Sequence, residues 1–174
     1  PRKRPLAMLA RLFRTLTAAP RPQTFPAFTR ANLPAMRGRF ELIRDGNGVL
    51  HLYSDDERDV YAGLGFAQAA DRFFMLDLMR HLGAGRLSQL IGNLKAPPRN
   101  QMFGGRRVAE IDAFVRPLGF EPQSRSDFTR LSARAAALLD AFSEGVNAGL
   151  RAMRGCYPPE YLLAGTIGAW HPAD

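Results

Sequence analysis

Hydrophobic and polar residues along the body of the chain first follow the pattern of a β-hairpin. Two mainly apolar segments, at 40–43 and 49–53, flank the turn sequence Asp-Gly-Asn-Gly at 45–48, in which glycine and asparagine tolerate positive φ. Two short apolar runs around such a turn predict antiparallel strands. His51 lies between apolar neighbours on the returning strand, so we expect it to have a structural role.

The pattern then changes to that of a long helix. Ser54 and Glu57 have the spacing of a capping box, in which each side chain bonds the backbone N–H of the other residue. Gly63 and Gly65 lie inside the helix, which suggests a close backbone approach or a local break. The stripe expected to face the core consists of apolar residues three or four positions apart, or at multiples of that spacing: Val60, Leu64, Ala67, Phe74, Leu78 and Leu82.

Shorter helices are predicted in the rest of the chain, giving a hairpin followed by about five helices. Asp71, in the long helix, is expected to pair with Arg72 or to accept a hydrogen bond from neighbouring backbone. Helices are predicted at 86–91, 106–118, 132–155 (with Ser132 as its cap and Gly155 at its end) and 158–163, with irregular segments at 93–104 and 122–127.

Length and composition indicate one globular domain or part of a larger one. The chain has 174 residues, of which 46% are hydrophobic and 23% charged, which excludes a disordered tail, a collagen-like fibre and a disulfide-framed mini-protein. Cys156 is the single cysteine, so it cannot form an intramolecular disulfide, and we expect a buried or idle thiol. His51, His81 and His171 are too far apart in sequence for a local metal-ligand motif.

The net charge of +8 comes from the N-terminal part of the chain. Residues 1–45 contain ten basic and two acidic residues, whereas residues 46–174 contain fourteen of each. The body of the protein therefore has no excess of positive charge to neutralise phosphates, which argues against nucleic-acid binding.

Residues 1–38 form a basic, proline-rich leader that differs from the rest of the chain. Residues 6–16 can form a short amphipathic helix, which follows basic residues and precedes small ones, as in a secretory signal. Arg11 and Arg14 interrupt its apolar run, so a helix on a membrane surface and a plain extension remain alternatives. We expect a periplasmic or secreted protein, with a cytoplasmic or membrane-associated one as the alternative.

Local spacing alone identifies no chemistry. The sequence contains no Ser-His-Asp motif, phosphate loop, zinc spacing or paired-carboxylate site. Gly63-x-Gly65 lacks both a preceding strand and the third glycine of a nucleotide-binding loop.

The order of several short motifs over residues 39–174, by contrast, resembles one family. The motifs are, in chain order, Arg44-Asp45-x-x-Gly48-Val49-x-His51-Leu52, Asp59, Gly63-Leu64-Gly65-Phe66-Ala67-Gln68-Ala69-Ala70-Asp71-Arg72, Met75-Leu76-Asp77-Leu78-Met79-Arg80, Gly85-Arg86-Leu87-Ser88-Gln89-Leu90-Ile91-Gly92, Ala141-Phe142-x-x-Gly145-Val146-Asn147-Ala148, Pro159-Glu160-Tyr161-x-Leu163 and Trp170-x-Pro172-x-Asp174. Together they resemble the α chain of the penicillin acylase family, which also includes cephalosporin, aculeacin and acyl-homoserine lactone acylases. Leu50 departs from the proline usual before the histidine.

The resemblance implies an α+β N-terminal-nucleophile hydrolase fold with αββα layers, of which this chain would be the mainly α-helical α-chain portion with its N-terminal β-hairpin. In that family a precursor cleaves itself into α and β chains. The first residue of the β chain, usually serine, attacks an acyl amide of the β-lactam side-chain or acyl-homoserine lactone type, and forms an acyl-enzyme. Its own α-amino group acts as the general base.

The same resemblance assigns no catalytic, substrate-binding or metal-ligating residue to this chain. None of its serines matches the nucleophile, namely Ser54, Ser88, Ser124, Ser126, Ser132 and Ser143. The helix that lines the acyl pocket, and a calcium ligand of the complete enzyme, would follow Asp174. We therefore expect residues 39–174 to be incomplete at the C-terminus and inactive without a β-chain partner. No cofactor is expected in this chain, calcium is a candidate only for the complete enzyme, and the alternative is an inactive fragment or a helical interaction module.

Overall fold

The computed structural model describes residues 36–96, 98, 103–153, 158–162, 164 and 167–174. The predictions about the leader over residues 1–35, about Cys156 and about Gly155 lie outside these residues. The described elements are the strands β1 (Phe40–Arg44) and β2 (Leu50–Ser54), the helices α1 (Glu57–Gly83), α2 (Leu87–Ile91), α3 (Val108–Val115), α4 (Phe120–Phe128) and α5 (Ala133–Ala152), and the 3-10 segments Arg116–Leu118 and Pro159–Leu162.

The predicted hairpin is confirmed. β1 and β2 pair antiparallel, with Leu42 opposite Leu52. In the turn, the Asp45 carboxylate accepts hydrogen bonds from the backbone N–H groups of Asn47 and Val49, each at 2.9 Å. His51 Nε2 lies 3.1 Å from the other carboxylate oxygen, so this histidine closes the turn, which is a structural role.

Helix α1 is present as predicted and begins at Glu57, but the predicted capping box is wrong. The N-cap is Asp56, whose side chain accepts from the N–H of Arg58 at 2.8 Å. Ser54 is still the last residue of β2, and its hydroxyl accepts from the N–H of Asp56 at 3.2 Å. The extended conformation that a cap requires occurs two residues later than the spacing suggested, because the strand continues through Ser54.

The core-facing stripe predicted for α1 is also wrong. Of its six residues only Ala67 is buried. The buried residues are instead small or aromatic, or are aspartates, and comprise Asp59, Ala62, Gly63, Gly65, Phe66, Ala67, Ala69, Phe73 and Asp77. Apolar residues occur on most sides of α1, so periodicity could not select one face. A kink at Arg72, where φ is −146° and ψ is 32°, also shifts the phase of the second half.

Glycine allows α1 and α5 to pack with their backbones close together. A Cβ on Gly65 would overlap the carbonyl of Phe142, and one on Gly145 would overlap the carbonyl of Ala62. Gly63 faces the ring of Phe40. The close approach expected at Gly63 and Gly65 is thus confirmed, whereas the local break lies at Arg72.

The core is built mainly along this helix pair. Phe66, Phe73 and Val146 have no exposed surface, and Leu150 is buried in one cluster with Phe73 and Val146. Each large apolar side chain that is fully buried contributes about 1.5–3 kcal/mol. The α1–α5 pair therefore provides the rigid support on which the remaining segments are held.

The shorter helices follow the predictions with one clear exception. Residues 122–127 were expected to be irregular, but they belong to α4. This helix has no buried residue and is stabilised by polar pairs four positions apart, Glu121–Arg125 and Gln123–Asp127, so it carries no apolar signal. Within the described ranges, no helix has the length and apolarity that crossing a bilayer requires.

Candidate functional site

A buried carboxylate on α1 lies at the centre of the most extensive polar network among the described residues. Asp77 has no exposed surface. One carboxylate oxygen accepts from Arg80 Nε at 3.1 Å and Nη2 at 2.5 Å, and lies 3.1 Å from His81 Nδ1. The other accepts from the hydroxyl of Tyr161 at 2.6 Å. Because residues three and four positions apart share a helix face, α1 itself brings Asp77, Arg80 and His81 together.

Arg80 joins this carboxylate to the last residues of the chain. Its Nη1 donates to the carbonyl of Ala169 and to Asp174 Oδ2, both at 2.9 Å. The guanidinium carbon lies 5.0 Å from the ring centroid of Trp170, in cation–π range. The Arg80 side chain is 11% exposed, so these contacts form largely out of water.

The second long helix holds the same segment from the other side. The Asn147 amide on α5 donates through Nδ2 to the carbonyl of Trp170 at 2.9 Å and accepts through Oδ1 from the N–H of Trp170 at 2.8 Å. Phe73 packs beneath, with ring centroids 6.0 Å from Tyr161 and 6.5 Å from Trp170. We call Asp77, Arg80, Asn147, Tyr161, Trp170 and Asp174 the anchor cluster.

The electrostatics of the anchor cluster favour fixed protonation states. Burial, followed by the hydrogen bond to Asp77, raises the pKa of Tyr161 well above its usual range. For Arg80, burial acts to lower the pKa, but the hydrogen bonds with Asp174 and Asp77 outweigh it and the net shift is upward. Tyr161 therefore stays a hydrogen-bond donor and Arg80 stays charged. Such groups fix a geometry and are poorly suited to transfer protons near neutral pH.

Two further aspartates of the described chain are buried, and both bind backbone N–H groups. Asp59, 2% exposed, accepts from Arg37 at 3.0 and 3.1 Å and from Gly38 at 2.7 Å, and so fixes the approach to β1. Asp112, also 2% exposed, accepts from Leu87 at 2.7 Å and Ser88 at 2.9 Å, and so caps α2. Both residues bind backbone within the fold and leave no carboxylate oxygen pointing into a site.

The prediction that Asp71 pairs within α1 is wrong. Asp71 binds Arg44 of β1, with both carboxylate oxygens 2.8 Å from Nη2, and does not pair with Arg72. The hairpin lies across α1, which brings Arg44 to Asp71, and Arg72 sits at the kink of the helix. Asp71 thus fastens the hairpin to α1.

Metal binding finds no support in the described part of the chain. No group of three or more histidine, cysteine, aspartate or glutamate side chains lies close enough together there to hold an ion. Asp77 and Asp174 both bind Arg80, so each carboxylate already has a cationic partner. A calcium site in the complete enzyme therefore stays a prediction.

In the sequence analysis the members of the anchor cluster appear only as parts of motifs, and their contacts were not predicted. One signal was available: Asp77 follows Phe73 by four positions, and Asp112 lies between Val108 and Val115 on an apolar face. A carboxylate at a core-facing position needs a partner, because burying it alone is very costly.

Among the described residues, no serine has a general base within hydrogen-bond distance of its hydroxyl in the contacts above. Ser143 is buried on α5, and its hydroxyl has no hydrogen-bond partner among the described residues.

Comparison with a solved structure defines the class of the fold. The chain superposes on a thermostable penicillin G acylase from Alcaligenes faecalis with a TM-score of 0.64 at 22% identity, covering 79% of this chain and 68% of that one. The helical body with its antiparallel strand pair thus has the fold of the corresponding part of an N-terminal-nucleophile hydrolase.

Sequence comparison gives the family. The family model for penicillin amidase matches residues 39–174. Relatives include the penicillin acylase 2 proenzyme of Pseudomonas sp. (strain SE83), 35% identical over 81% of this chain and 16% of its own length, and penicillin G acylase of Escherichia coli, 23% identical over 82% and 16%. The acyl-homoserine lactone acylase QuiP of Pseudomonas syringae pv. tomato is 26% identical over 91% and 17%. The chain belongs to the penicillin amidase family, and it spans about a sixth of the length of these curated relatives.

Proposed function

We propose that this chain is the α-chain portion of an N-terminal-nucleophile amidohydrolase that cleaves an acyl amide. The observation that carries the proposal is the coincidence of two results. The family match covers residues 39–174, and residues from four of the motifs inside that range, Asp77, Arg80, Asn147, Tyr161, Trp170 and Asp174, are joined in the anchor cluster.

The proposed reaction takes place on a β chain of the same precursor. The hydroxyl of the β chain's N-terminal serine attacks the amide carbonyl, while its own α-amino group takes the hydroxyl proton. The tetrahedral intermediate, stabilised by an oxyanion hole, expels the amine, which takes up that proton, and leaves an acyl-enzyme. Water then hydrolyses the ester to the carboxylic acid and regenerates the serine. In this scheme the chain described above supplies packing surface and anchoring, and no reacting group.

The proposed substrates are small acyl amides of the β-lactam side-chain or acyl-homoserine lactone type. Support comes from the names of the relatives, which include two penicillin acylases and an acyl-homoserine lactone acylase. The substrates that these names give share an amide between an acyl group and an amine.

An assay of the complete reading frame tests the proposal. The protein that contains this chain would be expressed whole and incubated with a panel of amides that pair one amine with acyl groups of increasing length and with phenylacetyl. Hydrolysis that is lost when the serine at the processing junction is changed to alanine supports the proposal. A protein that is folded and processed but hydrolyses no member of the panel favours an inactive interaction module.

We further propose that the leader directs the protein to the periplasm or the exterior. Its support is the order of basic, apolar and small residues at 1–19. Fractionation of cells that produce the complete protein with and without residues 1–35 tests this, since Arg37 and Gly38 bind Asp59 and are kept. Retention of the complete protein in the cytoplasm would contradict it.

A further inference from the structure

The hairpin turn presents an exposed asparagine, Asn47, directly before a glycine. Asn47 donates a hydrogen bond through its backbone N–H, whereas its side-chain amide has no partner among the residues that the structure describes. Gly48 carries no side chain, and apart from its chain neighbours no group lies within 4 Å of the position that a Cβ would occupy there. The amide of Asn47 and the backbone nitrogen that follows it are therefore both open to each other and to water.

The other asparagines of the described ranges, Asn93 and Asn147, lie in different settings. Asn147 binds Trp170 through both Oδ1 and Nδ2, and Asn93 Oδ1 accepts from the N–H of Ala109 at 3.0 Å. Each is followed by a residue with a Cβ, which screens the backbone nitrogen. Asn47 alone among the three combines a free amide with a following glycine.

This combination permits a reaction between Asn47 and the backbone. Once the nitrogen of Gly48 has lost its proton to the solvent, it can attack Cγ of Asn47, and the new C–N bond closes a succinimide ring. The bond from Cγ to the side-chain nitrogen breaks, and that nitrogen takes up a proton and leaves as ammonia. Water then opens the ring at one of its two carbonyls and gives aspartate or isoaspartate. The net reaction consumes one water and releases one ammonia, and no group is oxidised or reduced.

We propose that Asn47 is a site of spontaneous deamidation and that the hydrogen bonds of the hairpin turn set its rate. In the folded turn the N–H of Gly48 donates to the carbonyl of Asp45 at 3.0 Å, so this bond must open before the nitrogen can attack. The Asp45 carboxylate holds the same turn through the N–H groups of Asn47 and Val49. Exposed hydrogen bonds at the end of a hairpin open at a low cost in free energy. The reaction is independent of the proposed hydrolase activity.

Deamidation changes the turn that slows it. Either product places a second carboxylate two residues from that of Asp45, so like charges come together. Isoaspartate also lengthens the main chain by one methylene group, which moves the N–H of Val49 away from the oxygen that it shares with residue 47. We therefore expect the Val49 amide of the modified protein to exchange with solvent about tenfold faster, the effect of losing one hydrogen bond.

Incubation of the complete folded protein in water labelled with heavy oxygen tests the proposal. Each deamidation takes its new oxygen from water, and digestion in ordinary water leaves later conversions unlabelled. Peptide mapping by mass spectrometry should find the label at residue 47, while the peptides that contain Asn93 and Asn147 stay unlabelled. In urea, Asn47 should convert about tenfold faster, because its turn no longer holds the nitrogen of Gly48.

Two variants separate the site from the turn. Asn47→Gln keeps an amide but requires a larger ring, so residue 47 should stay unlabelled. Asp45→Ala removes the acceptor for two N–H groups of the turn and should raise the rate at Asn47 towards the value in urea, with circular dichroism confirming that the helices are intact.

Three results would overturn the proposal. The site is wrong if folded wild-type protein shows no label at Asn47 by the time that the protein in urea is fully converted. It is also wrong if Asn93 or Asn147 is labelled as fast as Asn47. Equal rates at Asn47 in the folded wild type, in Asp45→Ala and in urea would show that the turn does not set the rate.

Discussion

At the scale of single residues, glycine determines how closely the two long helices approach. Gly145 on α5 faces the backbone carbonyl of Ala62 on α1, and Gly149 would place a Cβ 2.8 Å from the Cβ of Ala69. A backbone carbonyl cannot rotate away as a side chain can, so the position of Gly145 tolerates no larger residue without separation of the helices.

We therefore expect Gly145→Ala to lower the free energy of unfolding by about 1–3 kcal/mol, the usual cost of overpacking a core. Gly83→Ala is the control. It lies in α1 with no other group within 4 Å of the added Cβ, so it should be neutral or slightly stabilising. Urea unfolding of both variants measures the difference. Equal stability of the two would show that the helices are not in the close contact described.

Residue chemistry explains which features could be predicted from the sequence. The turn at Asp45 and the close approach at Gly65 followed from conformational preferences that belong to the residues themselves. The contacts of Asp77 could not be predicted in the same way, because its partner Tyr161 is 84 positions away along the chain. A buried aspartate indicates only that some donor must be near.

At the scale of elements, the ends of helices and strands were harder to predict than their existence. The start of α1 is capped by Asp56, while Ser54 completes the strand before it. Helix α4 escaped prediction because surface polar pairs, and no apolar face, define it. In both cases short-range polar bonds decided the structure, and periodicity of apolar residues does not report them.

The corrected cap gives a direct prediction. Asp56→Ala should lower the free energy of unfolding by about 1 kcal/mol, since the N–H of Arg58 loses its acceptor at the helix start. Ser54→Ala should cost less, because it removes only the 3.2 Å bond to the Asp56 N–H. Thermal or urea unfolding measures both. A larger loss for Ser54→Ala would indicate that Ser54 caps the helix, which would contradict the structure.

The hairpin turn should respond to acid through Asp45. The hydrogen bond from His51, and then the backbone bond from Val49, lower the pKa of this carboxyl in the folded hairpin. Because the folded pKa lies below the unfolded one, the stabilisation is fully present above the unfolded value of about 3.9 and is lost as the pH falls through the folded pKa.

An NMR titration of the Val49 amide between pH 6 and pH 2, a range set by the usual aspartate pKa of about 3.9, tests this. The wild-type midpoint should lie below 3.9, and Asp45→Asn should abolish the transition. A midpoint at or above the usual aspartate value would show that the carboxylate is not held by these donors.

At the scale of the whole molecule, the motifs that carry the family resemblance meet in three dimensions. Asp77, Asn147 and Trp170 come from three motifs distributed over about 90 residues, yet they lie in one cluster. The fold class and the family followed from the order of these motifs, and both are confirmed. The reaction itself could not be predicted from residues of this chain, because the nucleophile, the pocket and the calcium ligand are all expected elsewhere in the complete enzyme.

The central claim is that this chain supports an acyl-transfer site whose nucleophile lies on another chain. The most direct test is intact-mass analysis of the complete protein after the reaction with an acyl amide has been quenched during turnover. The account predicts a mass increase equal to one acyl group on the β chain, mapped to its first residue, and none on the chain that contains residues 39–174. An acyl group found on a residue of this chain, such as Ser143, would contradict the account.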